Sequence, residues 1–190
     1  LSERRLLAFE RLGTALASRP EVAKALATAL TKQGPVRQVA LKAIANSTGK
    51  LPDQQWRPAL LGLLDTEVSP VLFEAIARVK HRSFDERLSA LAADKSRAVT
   101  LRLRSLLALS EAGSQLSPAA FDLLLELLAD TGQAGPRIEA SRRLAEAQLS
   151  DAQLDRFLPV LMRAGPIEQG DFLQHLKKYT PGQGKRIAAA

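Results

Sequence analysis

Residues 36–45 read "VRQVALKAIA". An arginine stands beside a valine, and alanine and isoleucine follow at helical spacing. One hundred residues on, residues 136–145 read "PRIEASRRLA". Arg37 matches Arg137, Ala40 matches Ala140, and Ala45 matches Ala145. The echo has three possible sources: chance in an alanine-rich helical chain, a functional basic motif, or a repeat. Which one holds decides the fold.

The punctuation of the chain favours helices of similar length. Pro20, Gly34-Pro35, Gly49, Pro52, Ser69-Pro70, Gly113, Ser117-Pro118, Gly135-Pro136, Gly165-Pro166 and Pro181-Gly182 interrupt it at short, regular intervals. A proline after Gly or Ser suits the first turn of a helix, where its missing N–H costs little. Between the breaks, apolar residues recur three and four apart, as in Phe121, Leu124, Leu125 and Leu128. Leu154, Phe157, Leu158, Leu161 and Met162 repeat the pattern. Ser83 and Glu86 have the spacing of a capping box. The reading predicts twelve helices: 2–18, 20–33, 35–47, 53–65, 69–80, 84–93, 97–112, 118–130, 136–147, 151–163, 166–179 and 182 onward. Pro58 is placed near the first turn of the fourth, with a kink at that point as the alternative. Short loops imply antiparallel hairpins.

Aligning the odd-numbered helices on Arg37 gives equivalent positions 5, 37, 69, 102, 137 and 169, spaced 32, 32, 33, 35 and 32 apart. Arg5, Arg102 and Arg137 keep the arginine; Ser69 and Gln169 replace it. A two-helix unit of this period is the signature of an α-solenoid, in which each hairpin buries its apolar face only by stacking on the next. The expected fold is all-α: a right-handed α-α superhelix of about six hairpins, forming one repeat domain over residues 1–190. The first helix of each hairpin is called the A helix, the second the B helix.

The runs built on Val36, Arg37, Ala40, Ala43 and Ile44 resemble the HEAT repeats of the armadillo-like solenoids. The resemblance implies a fold more than an activity. Gly34-Pro35 and Gly135-Pro136 stand where that family usually carries an acidic residue, and the repeats are shorter. "LDRFLPVLMRAG" followed by "FLQHLKKY" is also similar to the helical middle segment of large multidomain bacterial proteins. Those join a propeller-type dehydrogenase-like domain to a c-type haem domain. A haem attached through Cys-x-x-Cys-His would have to lie in a neighbouring segment, because this chain has no cysteine.

That absence also excludes disulfides, zinc–thiolate sites, iron–sulfur clusters and thiol catalysis within the segment. Hydrophobic residues make up 46% and aromatics 4%, so the core is mostly Leu and Ala. No apolar run approaches the roughly 20 residues that span a bilayer. The chain reads as soluble, with no membrane insertion; the compartment, cytoplasm or periplasm, is left open. It starts without methionine and ends "GKRIAAA" in what reads as mid-helix. The expectation is a segment of a longer polypeptide.

Net charge is +7, concentrated in residues 1–50, where nine Lys/Arg face three Asp/Glu. The repeated arginines are either a phosphate-binding stripe or partners for acidic residues of an adjacent repeat. Recurrence at the repeat period favours the second. A partner surface is then expected on the B helices, which line the concave face of such solenoids. Its basic residues are Lys24, Lys32, Arg57, Arg87, Arg156 and Arg163.

Catalytic chemistry finds little support. His81 is read as favouring a helix C-terminus, and His175, at the register of Ala43, as packing between helices. Asp85 and Glu86 suit the first turn of a helix. Gly182 and Gly184 lack the spacing of a phosphate loop and read as a helix start. Neither G-x-S-x-G nor H-E-x-x-H occurs. The expectation is a non-catalytic scaffold with no cofactor. Its partner is another protein or a neighbouring domain of the same polypeptide. Basic nucleic-acid binding and service as the spacer of a haem or dehydrogenase enzyme are the alternatives.

Overall fold

The computed structural model describes residues 2–110 and 115–189. Among these residues the chain is helical, without strands; one isolated parallel bridge joins Gln115 and Gln148. Twelve α-helices are present: α1 (Glu3–Leu16), α2 (Pro20–Leu30), α3 (Pro35–Ala45), α4 (Asp53–Thr66), α5 (Pro70–Val79), α6 (Asp85–Ala93), α7 (Val99–Leu107), α8 (Pro118–Ala129), α9 (Ala134–Glu146), α10 (Asp151–Leu161), α11 (Pro166–Leu173) and α12 (Pro181–Ala189). Contacts divide them into two units. The first comprises 2–88 with Ala108–Ser110, the second Ser89–Leu107 with 115–189.

Helix starts follow the proline rule. Pro20, Pro35, Pro70, Pro118 and Pro166 each open a helix. Helix α9 starts earlier than expected, at Ala134, because Pro136 then still lies in the first turn, where no N–H is needed. Pro58 is deeper than expected, the sixth residue of α4, and the helix runs through it. The end of the expected seventh helix, 111–112, lies outside the described residues.

The eleventh helix is shorter than expected. It stops at Leu173, and a 3-10 turn covers Leu176–Lys178. His175 accounts for the break. Its ring Nδ1 takes the Asp171 carbonyl at 2.9 Å, the acceptor its own N–H would use in an α-helix. That N–H moves to the Phe172 carbonyl, a 3-10 bond.

Two capping expectations are corrected. Ser83 lies inside a 3-10 turn, Arg82–Phe84, and is not the N-cap; His81 is, with its ring Nδ1 accepting from the Ser83 N–H at 3.1 Å. His81 therefore serves the start of a turn, not a helix C-terminus. The capping box belongs to Ser150 and Gln153 at the head of α10. Thr180 and Gln183 exchange the same pair of bonds before α12, which makes Gly182 and Gly184 part of a helix start.

In the first unit, A helices stack in the order α1, α3, α5, and α2 packs on α4 beside them. Gly13 sets the α1–α3 distance: a Cβ there would stand 2.9 Å from the Ala43 Cβ and 3.1 Å from Leu26 Cδ2. Trp56 is fully buried, and its Nε1–H donates to the Ala23 carbonyl at 2.9 Å. In the second unit, α7, α9 and α11 stack as A helices and α8 packs on α10. Phe157 meets Phe172 edge-on at 5.2 Å, a geometry that aromatic quadrupoles favour.

Candidate functional site

The repeated arginine does one job in several layers. Arg37 Nε donates to the carbonyl of Leu30, the last residue of α2. Arg102 Nε donates to the Ala92 carbonyl near the end of α6, at 3.0 Å. Gln169, which replaces the arginine, donates its amide to the Leu161, Met162 and Ala164 carbonyls at the end of α10 and just beyond it. Each side chain donates to carbonyls at the C-terminus of the preceding B helix. A cation there also complements the helix dipole. Arg5, at the same register of α1, is exposed.

The α3/α5 seam carries two further contacts. Arg37 forms an ion pair with Glu67, in the loop before α5. Arg78, at the end of α5, reaches back to the Ser47 and Gly49 carbonyls after α3, both at 2.6 Å. The α9/α11 seam repeats both. Arg137 Nε lies 2.7 Å from Glu168 Oε1, although its N–H does not point along that line. Lys178, just beyond α11, reaches back to the Ala145 and Ala147 carbonyls. Arg78 and Lys178 are one hundred residues apart, as Arg37 and Arg137 are.

Of the predicted partner-surface residues, Lys24, Lys32, Arg57 and Arg87 belong to the first unit, Arg156 and Arg163 to the second. Arg87 makes a two-pronged contact with Asp65 of α4, at 2.8 and 3.2 Å. Its guanidinium is held above its ordinary pKa chiefly by that hydrogen bond. Arg156 pairs with Asp122 of α8 at 2.8 Å and lies over the Phe121 ring. Both cations tie one B helix to the next. Arg57 is half-buried. Lys24, Lys32 and Arg163 are exposed. Lys24 edges an open hollow of about 510 Å³ with Pro20, Glu21, Ala27 and Gln55. Arg163 and Arg137 line a smaller one of about 240 Å³.

A third hollow, lined mainly by polar side chains, lies elsewhere. Gln115, Gln148, Ser150, Lys178, Tyr179 and Gln183 line a space of about 380 Å³ in the second unit. Burial pulls the Lys178 ammonium down to about 8, and Glu146 partly opposes the shift. Burial also pushes the Tyr179 phenol up to about 12. A lysine with a lowered pKa in a cleft is a candidate nucleophile or base. Here its ammonium is spent on two helix-end carbonyls and rests 5.0 Å from the centre of the Tyr179 ring. Arg78 holds the same place in the other seam, so the lysine is read as part of the seam.

Lys178, Arg78, Glu67 and Glu168 escape a reading confined to the opening motif. The hundred-residue offset between Arg78 and Lys178 was the available signal. Among the described residues, no three metal-ligating side chains cluster, and no helix is long and apolar enough to cross a membrane. Comparison with protein families, with curated proteins and with solved structures returns no match.

Proposed function

We propose that this chain is a non-catalytic helical-repeat scaffold: a HEAT-like, right-handed superhelix that holds another protein or a neighbouring domain. One observation carries the reading. The seam between consecutive A helices is built twice with the same parts, a basic residue entering and a basic residue returning, one hundred residues apart. The ionisable groups at these seams act on helix ends and on one another, which fits a frame better than a reaction centre. Small-angle scattering tests the architecture. A compact globule of this length has a radius of gyration of about 16 Å; a stacked array is expected clearly above that. Cross-linking of the native polypeptide tests the role, with Lys24 and Lys32 expected to link to other protein surfaces. A compact scatterer, or links confined to the chain itself, would overturn it.

A second reading is basic nucleic-acid binding. Of the nine Lys/Arg in residues 1–50, all but Arg37 are exposed. Against it, Trp56 is in the core and offers no stacking platform. Anisotropy with a short duplex at about 50 mM salt separates the two. Binding that falls steeply with salt is the nucleic-acid signature.

A further inference from the structure

Four long side chains stand at the arginine register after a B helix: Arg37, Arg102, Arg137 and Gln169. Three of them donate to carbonyls at the end of that helix. Arg137 does not. Its Nε lies 2.7 Å from Glu168 Oε1, and among the described residues no side chain donates to the last carbonyls of α8.

The backbone leaves the same helix end open. After α2, the Thr31 and Lys32 N–H groups turn back to the Thr28 and Ala29 carbonyls; after α10, those of Arg163 and Ala164 turn back to Val160 and Leu161. After α8 only the Asp130 N–H turns back, to the Glu126 carbonyl, because Asp130 is itself already extended, with ψ 110°. The Leu127, Leu128 and Ala129 carbonyls therefore accept no hydrogen bond from the described residues. Such groups call for a partner.

The smaller arginine-lined hollow sits at this helix end. Leu128 and Ala129 close it on one side, Val160, Arg163 and Ala164 on the other, and Arg137 comes from α9. Its volume of about 240 Å³ is below the roughly 300–1,000 Å³ of sites for drug-sized ligands. Its lining holds two guanidiniums and no carboxylate. The acids beside it are engaged: Glu168 with Arg137, and Asp130 with the Gly132 N–H and the Gln133 amide. A bare anion would meet the negative end of the α8 dipole. A bare cation would meet two arginines. A small zwitterion suits both.

We propose that this hollow binds a free aliphatic α-amino acid. The carboxylate goes to Arg137 and Arg163, as guanidiniums favour. The ammonium goes to the open carbonyls that end α8. The aliphatic side chain lies against Leu128, Val160 and Ala164. The site is built wholly within the second unit, and it does not depend on the scaffold reading.

Amide NMR of the full chain, titrated with L-leucine, tests it. Leucine is raised to about 20 mM, enough to saturate a site with a Kd near ~1 mM. Saturable shifts are expected at residues 128–131 and 160–164. N-acetyl-L-leucine lacks the ammonium, and L-leucinamide lacks the carboxylate; each is expected to bind at least about tenfold more weakly, the loss of one charge-assisted contact. The same pair separates a free amino acid from the end of a peptide. Arg163→Gln, at an exposed position, is expected to keep the native spectrum elsewhere and to weaken leucine by about tenfold or more. No shifts with leucine, a blocked derivative that binds as tightly as leucine, or an Arg163→Gln variant of unchanged affinity would each overturn the proposal.

Discussion

The α3/α5 and α9/α11 seams have the same parts and different surroundings. In the first, Glu67 keeps 41% of its side chain exposed and Arg37 keeps 13%. In the second, Glu168 keeps 2% and Arg137 keeps 25%. The first carboxylate still has water; the second has given it up. An exposed pair contributes little, whereas a buried charge that loses its partner is costly. The same parts therefore do not carry equal importance, and burial sets the difference.

The largest effect follows from that contrast. Arg137→Ala is expected to cost about 3–5 kcal/mol in urea unfolding, because Glu168 is left buried and uncompensated. Arg37→Ala is expected to cost only about 1 kcal/mol, since Glu67 turns to solvent. Equal costs would break the comparison.

A pair of glycines probes how tightly the A helices approach. Gly13→Ala is expected to lose about 1–3 kcal/mol by overpacking against Ala43 and Leu26. Gly62→Ala, in α4 with nothing within 4 Å of the added carbon, is expected to gain about 0.5–1 kcal/mol. A gain at both positions would mean that α1 is free to shift.

A further effect is a pH dependence at the α9/α11 seam. Lys178 in the folded chain titrates at about 8, below the roughly 10.4 of a free lysine. Between those values the unfolded chain binds more protons, so stability rises with pH. Tyr179 titrates at about 12 when folded, above the roughly 10 of a free phenol. Over that interval the folded chain holds more protons, so stability falls with pH. Melting temperature is expected to peak near pH 10. Lys178→Arg, which stays charged, is expected to flatten the rising limb, and Tyr179→Phe the falling one.

How much of this was legible beforehand varied with the range of the interaction. The helix starts were, because a proline in the first turn acts through its own backbone. So was the pairing role of Arg37 and Arg137, because recurrence at the repeat period has a packing cause. The partner-surface residues were legible as charges but not by their state. Arg87 and Arg156 already hold Asp65 and Asp122, and no spacing along the chain announces those pairs. His81 and His175 were misplaced or undervalued for a similar reason. Each acts on one particular backbone group, and which group is within reach depends on how the turn closes.

By itself, then, the sequence determined a helical chain with a 32-residue register and an arginine built into that register. Those follow from φ preferences and from three- and four-residue spacing, which operate within a few bonds. The tertiary structure alone decided which carboxylate each arginine meets, which of the two carboxylates is buried, and which leucines are exposed on α1 and α11. Those depend on residues some thirty positions apart coming together, and on how much water their packing leaves between them.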